Sequence, residues 1–458
     1  MLRELLEAAR GGRHDYTTGS IGKAIFLLAV PMVLEMMMES LFAVADTFWV
    51  GRLGANAVAT IGLTETMMII IYTVAMGLGI AASAIIARRI GEHDRDGAST
   101  SAVQALVLAT VFSVILAALG AFFAADLLRL MGAAPDVIAT GTNFTRVMLG
   151  GSTTVFLLFM INACFRGAGD AAIAMRVLIF ANTLNMILGP LFIFGIGPFP
   201  KLGVTGAAVA TTIGRGLGVV FALSRLVKGH GALEIRRRHL VLDTGTMQRM
   251  LTLAGNGTFQ VLVGSLNWIG LVRLMSSFGS TAMAGYTIAI RLVIFALLPA
   301  WGLSNAAATL VGQSLGAGNP ERAEQSVWTA ARYNLVFLGG MGLLFIAIAP
   351  WIVSAFTTDA EVARVATFGL RTIAAGFPFF AFGMVFTQAF NGAGDTVTPT
   401  WINIGVFWLF EVPLAWVLAE HTPLGLNGIF VSVLAAYSLL AAVSALLFRR
   451  GKWKMRRV

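Results

Sequence analysis

The stretch Val30–Gly54, VPMVLEMMMESLFAVADTFWVGRLG, is mostly apolar and long enough to cross a bilayer, yet it carries Glu35, Glu39 and Asp46. A spanning helix needs about 20 apolar residues, and an acid at its centre costs about 2.5–3.5 kcal/mol on insertion scales. At about 100° per residue, Glu39 lies a net 40° or so from Glu35 and Asp46 about 20°, so the three acids share one face over about 16 Å of rise. On a lipid-facing stripe they would oppose insertion. On a stripe turned to a wet pathway they are tolerable and can bind protons or cations, the usual role of intramembrane acids. For Glu35 taken alone, a hydrogen bond to a neighbouring helix is an equally good reading.

Outward from this stretch the chain keeps the same character. It has 458 residues, 57% of them hydrophobic and only 12% charged, with a mean hydropathy of +0.83. That excludes a soluble protein, and the short alternating strands of a membrane barrel are missing from the pattern. The expected fold is an all-α integral membrane protein with twelve transmembrane helices, near 24–50, 57–87, 99–128, 137–164, 176–199, 203–227, 248–277, 281–313, 324–355, 361–390, 397–419 and 425–448. The 51 glycines suit closely packed helices. Lys and Arg concentrate in the N-terminal segment (Arg3, Arg10, Arg13, Lys23), at Arg88, Arg89 and Arg95, at Arg166 and Arg176, between Arg225 and Arg249, and in the tail RRGKWKMRR. This bias places both termini in the cytoplasm of a plasma-membrane protein. It also accounts for the net charge of +10 without nucleic acid.

The N-terminal segment 1–23 is too polar for a signal peptide, and Leu2–Arg10 reads as an amphipathic helix. Cys164 is the sole cysteine, so no intrachain disulfide is possible. The five histidines fall in polar connections without metal-ligand spacing, and no HExxH or nucleophile motif occurs. No enzyme, cofactor or resident metal is expected.

The chain repeats itself. RGAGD at 166–170 matches NGAGD at 391–395, RIGEHDRDGA at 89–98 matches SLGAGNPERA at 314–323, and RLGANAVA at 52–59 matches SFGSTAMA at 277–284. Each pair is offset by 225 positions. The unit holds six spans, so both halves cross the membrane in the same sense: a parallel repeat of two six-helix bundles, with a central cavity expected between them. The expected divisions are a cytoplasmic segment 1–23, a first lobe 24–227, a linker 228–247, a second lobe 248–448 and a basic tail 449–458.

The halves differ chemically. At the repeat offset Glu35, Glu39 and Asp46 correspond to Gln260, Gly264 and Leu271. Coupling chemistry is therefore expected in the first half. Glu411, beside Pro413 in the eleventh span, is the strongest acid candidate of the second half, and Arg291 is expected to pair with it or with another buried acid. Glu65 extends the polar face or sits at the interface. Asn182 and Asn185 in the fifth span can bond a carboxylate, give oxygen to a cation, or join helices. Met36 to Met38, Met67 and Met68 could line a pliable pocket, although packing is the plainer role.

These stretches, PMVLEMMMESLFAVADTFWVGRLG with RGAGD and NGAGD, resemble the multidrug and toxic compound extrusion (MATE) family over essentially the whole chain, from Ile21 to about Arg450. The resemblance implies export of organic cations or amphipathic compounds by alternating access, in exchange for H⁺ or Na⁺. It is nearer the DinF-like branch. The family's first-span aspartate falls on Asp46, and its fifth-span pattern Asn-x-x-x-Asp-Pro appears as Asn185 to Pro190, with Gly189 replacing the aspartate. Phe144 stands where that branch has a fourth-span tyrosine. A Na⁺ cage weakens without one carboxylate, whereas one titrating acid still carries a proton. H⁺ coupling through Asp46 is thus favoured, with Glu35 and Glu39 as relay or cation-attracting groups and Asn185 as a hydrogen-bond partner of Asp46. Asn182, Gln260, Glu65, Met36 and Phe144 are candidates for the substrate cavity. The expected partners are a small-molecule substrate and the bilayer, with the chain acting as a monomer. The alternative is a lipid-linked oligosaccharide flippase of the same superfamily, although such cavities are rich in Arg and Lys and this one is acidic.

Overall fold

The computed structural model describes residues 2–12 and 14–456; Arg13 and Arg457, which contribute to the topology argument, lie outside them. Every regular element among the described residues is helical. In chain order these are α1 (Leu2–Arg10), α2 (Ile21–Gly51), α3 (Ala55–Gly91), α4 (Arg95–Phe122), α5 (Ala124–Leu130), α6 (Pro135–Gly150), α7 (Ser152–Ala168), α8 (Ala171–Phe194), α9 (Val204–Val227), α10 (Thr244–Ser276), α11 (Ser280–Gly316), α12 (Pro320–Ser354), α13 (Ala360–Ala375), α14 (Phe377–Gly392), α15 (Val397–Asn403), α16 (Val412–Glu420) and α17 (Asn427–Arg449). A π-helical stretch, Ile404–Glu411, joins α15 to α16. Eleven helical segments are long and apolar enough to cross a membrane, and α13 with α14, bent by 55° at Gly376, makes a twelfth. The protein is a multi-pass membrane protein. The third span ends at Phe122, short of the expected 128, because the chain turns at Phe123 into the separate helix α5.

The repeat is written in the backbone. Gly54 and Gly279 precede α3 and α11 with near-identical dihedrals, φ 97° and ψ 176° against φ 92° and ψ 177°. Both need a positive φ that side chains resist. Asp94 and Asn319 cap α4 and α12, each accepting a backbone N–H three residues on, from Gly97 and Arg322. The fourth span breaks at Gly151 and the tenth at Gly376. In the two motifs, Gly167 lies on the backbone of α3 at Ser83 and Gly392 on that of α11 at Ala308. A Cβ added there would stand 2.6 Å from the Ser83 carbonyl oxygen or 2.2 Å from that of Ala308, so only glycine permits the approach. All of these pairs are 225 residues apart.

Two compact units result, Met1–Asp15 with Val30–Thr258, and Tyr16–Ala29 with Phe259–Val458. The division falls inside α10 rather than at the expected linker 228–247. The linker packs onto the first unit: Gln104 Nε2 donates to the Val241 carbonyl at 2.7 Å, Arg238 pairs with Asp96 at 2.6 Å, and Ala232 N–H donates to Asp170 Oδ2 at 2.6 Å. Asp243 ends it, its carboxyl held below the usual range by the Thr246 hydroxyl. Tyr16–Ala29 belongs to the second unit because the Arg322 guanidinium gathers the carbonyls of Tyr16, Thr18 and Gly19 at 2.8–3.1 Å.

Candidate ion-coupling site

The three acids of α2 meet different surroundings. Glu35, 2% exposed, pairs with Arg166 Nη1 of α7 at 2.7 Å and receives a longer bond from Asn162 Nδ2 at 3.5 Å. Arg166 is the first residue of the RGAGD motif, so motif and acid form one buried ion pair. Glu39 takes a bond from Arg215 Nη2 of α9 at 2.7 Å and another from Asn182 Nδ2 of α8 at 2.9 Å. Asn182 is fully buried, and of the three roles open to it the carboxylate bond, which also joins α8 to α2, is the one observed. The structure thus gives Glu35 and Glu39 each a guanidinium: for Glu35 this is the bond to a neighbouring helix that the sequence left as open as a relay role, and Glu39, expected as a relay or cation-attracting group, is paired as well. The arginines come from α7 and α9, helices far away in the chain.

Asp46 differs. It is half-buried, about two turns beyond Glu39. Among the described residues it accepts no hydrogen bond and forms no ion pair, and the charges within its electrostatic reach are Glu65 of α3 and Arg215. Arg215 serves Glu39 and Asp46 together, while Glu65 adds a further negative charge beside Asp46. Tyr72, seven residues beyond Glu65 and so on the same face of α3, lies within reach of Glu39, Asp46, Glu65 and Arg215. Among these acids Asp46 is the one that accepts no hydrogen bond among the described residues, the setting in which a carboxyl gains most from a proton or cation.

Asn185 does not reach Asp46: its amide donates to Thr211 Oγ1 of α9 at 3.0 Å. The space beside Gly189 is open, with nothing within 4 Å of where a Cβ would stand. Phe144 is a correction. It is 4% exposed and packs with Val50, Ala57, Ile193, Ala207 and Ala208, so it fills the core of the first unit rather than a cavity wall. Met67 and Met68 are likewise buried, whereas Met36 is half-buried and Glu65 exposed. In the second unit Gln260 is buried with no partner for its Oε1. Arg291 is exposed and does not pair with Glu411, which accepts from Asn267 Nδ2 of α10 at 3.1 Å instead.

The sequence reading missed Arg215 and Tyr72. Arg215 had a signal, a lone arginine inside an apolar span. Tyr72 had only its seven-residue spacing from Glu65.

The MatE family profile matches residues 31–191 and again 260–417, once in each half. The chain belongs to the MatE (MATE) family. "Probable multidrug resistance protein YoeA" of Bacillus subtilis is 27% identical over 96% of both chains. The FAD transporter of Shewanella oneidensis is 27% identical over 88% of this chain and 89% of its own. Among solved structures, a MATE transporter in the straight conformation superposes with a TM-score of 0.90 at 26% identity, covering 96% of this chain and 98% of that one. A MOP superfamily transporter from Pyrococcus furiosus, described by a binding pocket of reverse polarity, also gives 0.90 at 26% identity over 98% and 100%. With this profile and these relatives, the chain described here is a MATE-family membrane protein.

Proposed function

We propose that this protein exports cationic or amphipathic small molecules in exchange for protons, by alternating access, and that Asp46 is the coupling acid. The observation that carries the reading is the contrast within α2: Glu35 and Glu39 are each neutralised by an arginine, and Asp46 alone has none bonded to it. A carboxyl in that setting gains most from a proton or a cation. Gly189 removes one oxygen ligand that a Na⁺ cage of this family would use, which favours H⁺. Protonation of Asp46 would change its balance with Arg215 and Glu65 and so the packing of α2 against α3 and α9. Substrate and proton must then disfavour each other's binding. With the termini inside, as the Lys/Arg bias suggests, each inward proton contributes about 2.3 kcal/mol per 100 mV of membrane potential. The multidrug and FAD-transporter relatives support small-molecule export over the lipid-linked flippase.

The test uses proteoliposomes loaded with a fluorescent organic cation. A pH gradient and a Na⁺ gradient are imposed separately on wild type and Asp46→Asn. The expected outcome is transport driven by the pH gradient alone and abolished in the variant. Transport driven by Na⁺ alone would overturn the proton assignment, and undiminished transport by Asp46→Asn would overturn the residue.

A further inference from the structure

We propose that Glu411 is a second proton-binding site, confined to the second unit and separate from Asp46. Glu411 ends the π-helical stretch Ile404–Glu411 and is 1% exposed. It sits among the apolar side chains of that unit's core, near Tyr286 of α11 and Tyr437 of α17, both members of the core cluster. Its bonded partner is neutral, the Asn267 amide of α10. Among the described residues no Lys, Arg, His, Asp or Glu faces it from α10, α11, α16 or α17; the titratable groups that do are the phenols of Tyr286 and Tyr437. Arg291, the nearest base by sequence expectation, points to the exterior.

A buried carboxylate without a cation is costly, and such a group normally takes a proton instead. The surroundings hold what a change of protonation needs. Tyr286 and Tyr437 are each 2% exposed, and both hydroxyls lack a hydrogen-bond partner. Asn267 Oδ1 is also unpartnered and can accept the proton of a neutral carboxyl if the amide turns. So the protonated acid has an acceptor in reserve, and two unbonded phenols lie within electrostatic reach of the ionised acid. Each such unpaired buried polar atom calls for an explanation. These atoms gather at the one π-helical segment of the described chain, a deviation often found at functional positions. The proton enters as H⁺ from water and leaves as H⁺; no other reactant is required.

This inference does not rest on the coupling role of Asp46, and its test reads protonation rather than transport. Infrared difference spectra between neutral and alkaline pH would be recorded on the full-length protein in lipid. The expected result is a protonated-carboxyl C=O band at neutral pH that disappears on alkalinisation, is missing in Glu411→Gln and persists in Asp46→Asn. If Glu411→Gln does not fold, Glu411→Asp supplies the assignment by displacing the band. A spectrum in which Glu411 substitution removes or displaces no protonated band would overturn the proposal. So would loss of the band on adding Na⁺ at constant pH, because the site would then be a sodium site.

Discussion

Arg166 and Asn391 open the same five-residue motif, RGAGD in the first half and NGAGD in the second, and each matches what stands on the first spanning helix of its own half. Arg166 meets Glu35 in a buried ion pair. At the repeat offset Glu35 becomes Gln260 and Arg166 becomes Asn391, two buried neutral amides. Both positions have changed together, so neither half leaves a lone charge buried at this place, which would cost several kcal/mol. The same logic holds one turn on. Glu39 and Arg215 correspond to Gly264 and Leu440, again a charge pair replaced by a neutral one. The carboxylate–amide bond between the first and fifth spans has exchanged ends. Asn182 of the fifth span donates to Glu39 of the first, whereas Asn267 of the seventh donates to Glu411 of the eleventh. The frame is shared where backbones touch, and the chemistry diverges where side chains carry charge.

The most severe way to break this comparison is Arg166→Ala. It leaves Glu35 buried and without its guanidinium, and should cost about 3–5 kcal/mol. Asn391→Ala loses a 3.0 Å bond to Gln388, worth about 1 kcal/mol. Thermal unfolding followed by size-exclusion chromatography separates the two. The double change Glu35→Gln with Arg166→Asn copies the two neutral amides that stand at these positions in the second half and should recover most of the loss. Equal costs at Arg166 and Asn391 would dissolve the contrast between the halves.

Motif glycines probe the shared frame rather than the difference. Gly167→Ala and Gly392→Ala each drive a methyl into the backbone of α3 or α11. Both should destabilise, by about 1–3 kcal/mol and to a similar degree. A large inequality would mean that the two helix pairs are held by different contacts despite the common offset.

Much of this was legible in the sequence. The spans followed from hydropathy, and the repeat from three motif pairs at one offset, because backbone packing of glycines and caps leaves residue-type signatures in place. The ladder of Glu35, Glu39 and Asp46 was legible too, from helical geometry. What was not legible is which acid is paired. Arg166 and Arg215 lie 131 and 176 positions from their carboxylates, and nothing in local spacing couples them. The same holds for Phe144, whose neighbours Val50, Ile193 and Ala207 come from other helices, and for Asn267, which took the place expected of Arg291.

Pairing also predicts a result that a relay would not give. Glu39→Gln leaves Arg215 without its carboxylate, but Glu39 is 34% exposed and water offsets part of the loss. A destabilisation of about 1–2 kcal/mol is expected. The combination of Glu35→Gln and Glu39→Gln should slow transport through lost stability yet leave its pH dependence where wild type has it. A displaced pH profile in proteoliposomes would return these acids to the proton path.

The smallest effect is expected at the tail, one of the two places where the motif aspartates hold the segments that follow. Asp170 accepts the Ala232 N–H of the linker at 2.6 Å, and Asp395 faces Arg456 of the tail at 3.3 Å. Gly231, which packs on Asp170, and Arg456 are again 225 residues apart, so the repeat extends past the last helix of each half. The two fastenings differ in kind. Asp170 is buried and bonds to backbone, a charge-assisted bond worth about 1.5–3 kcal/mol, so Asp170→Ala should loosen the linker and expose it to limited proteolysis. Arg456 is 52% exposed, and Asp395 keeps the Thr398 hydroxyl at 2.6 Å without it. An exposed ion pair contributes about 0–1 kcal/mol. Arg456→Ala should therefore leave the unfolding temperature nearly unchanged and alter only the cleavage of the tail. If it instead destabilised the protein as much as Asp170→Ala, the tail would be fastening the second unit as firmly as the linker fastens the first, and the halves would be more alike at their ends than at their acids.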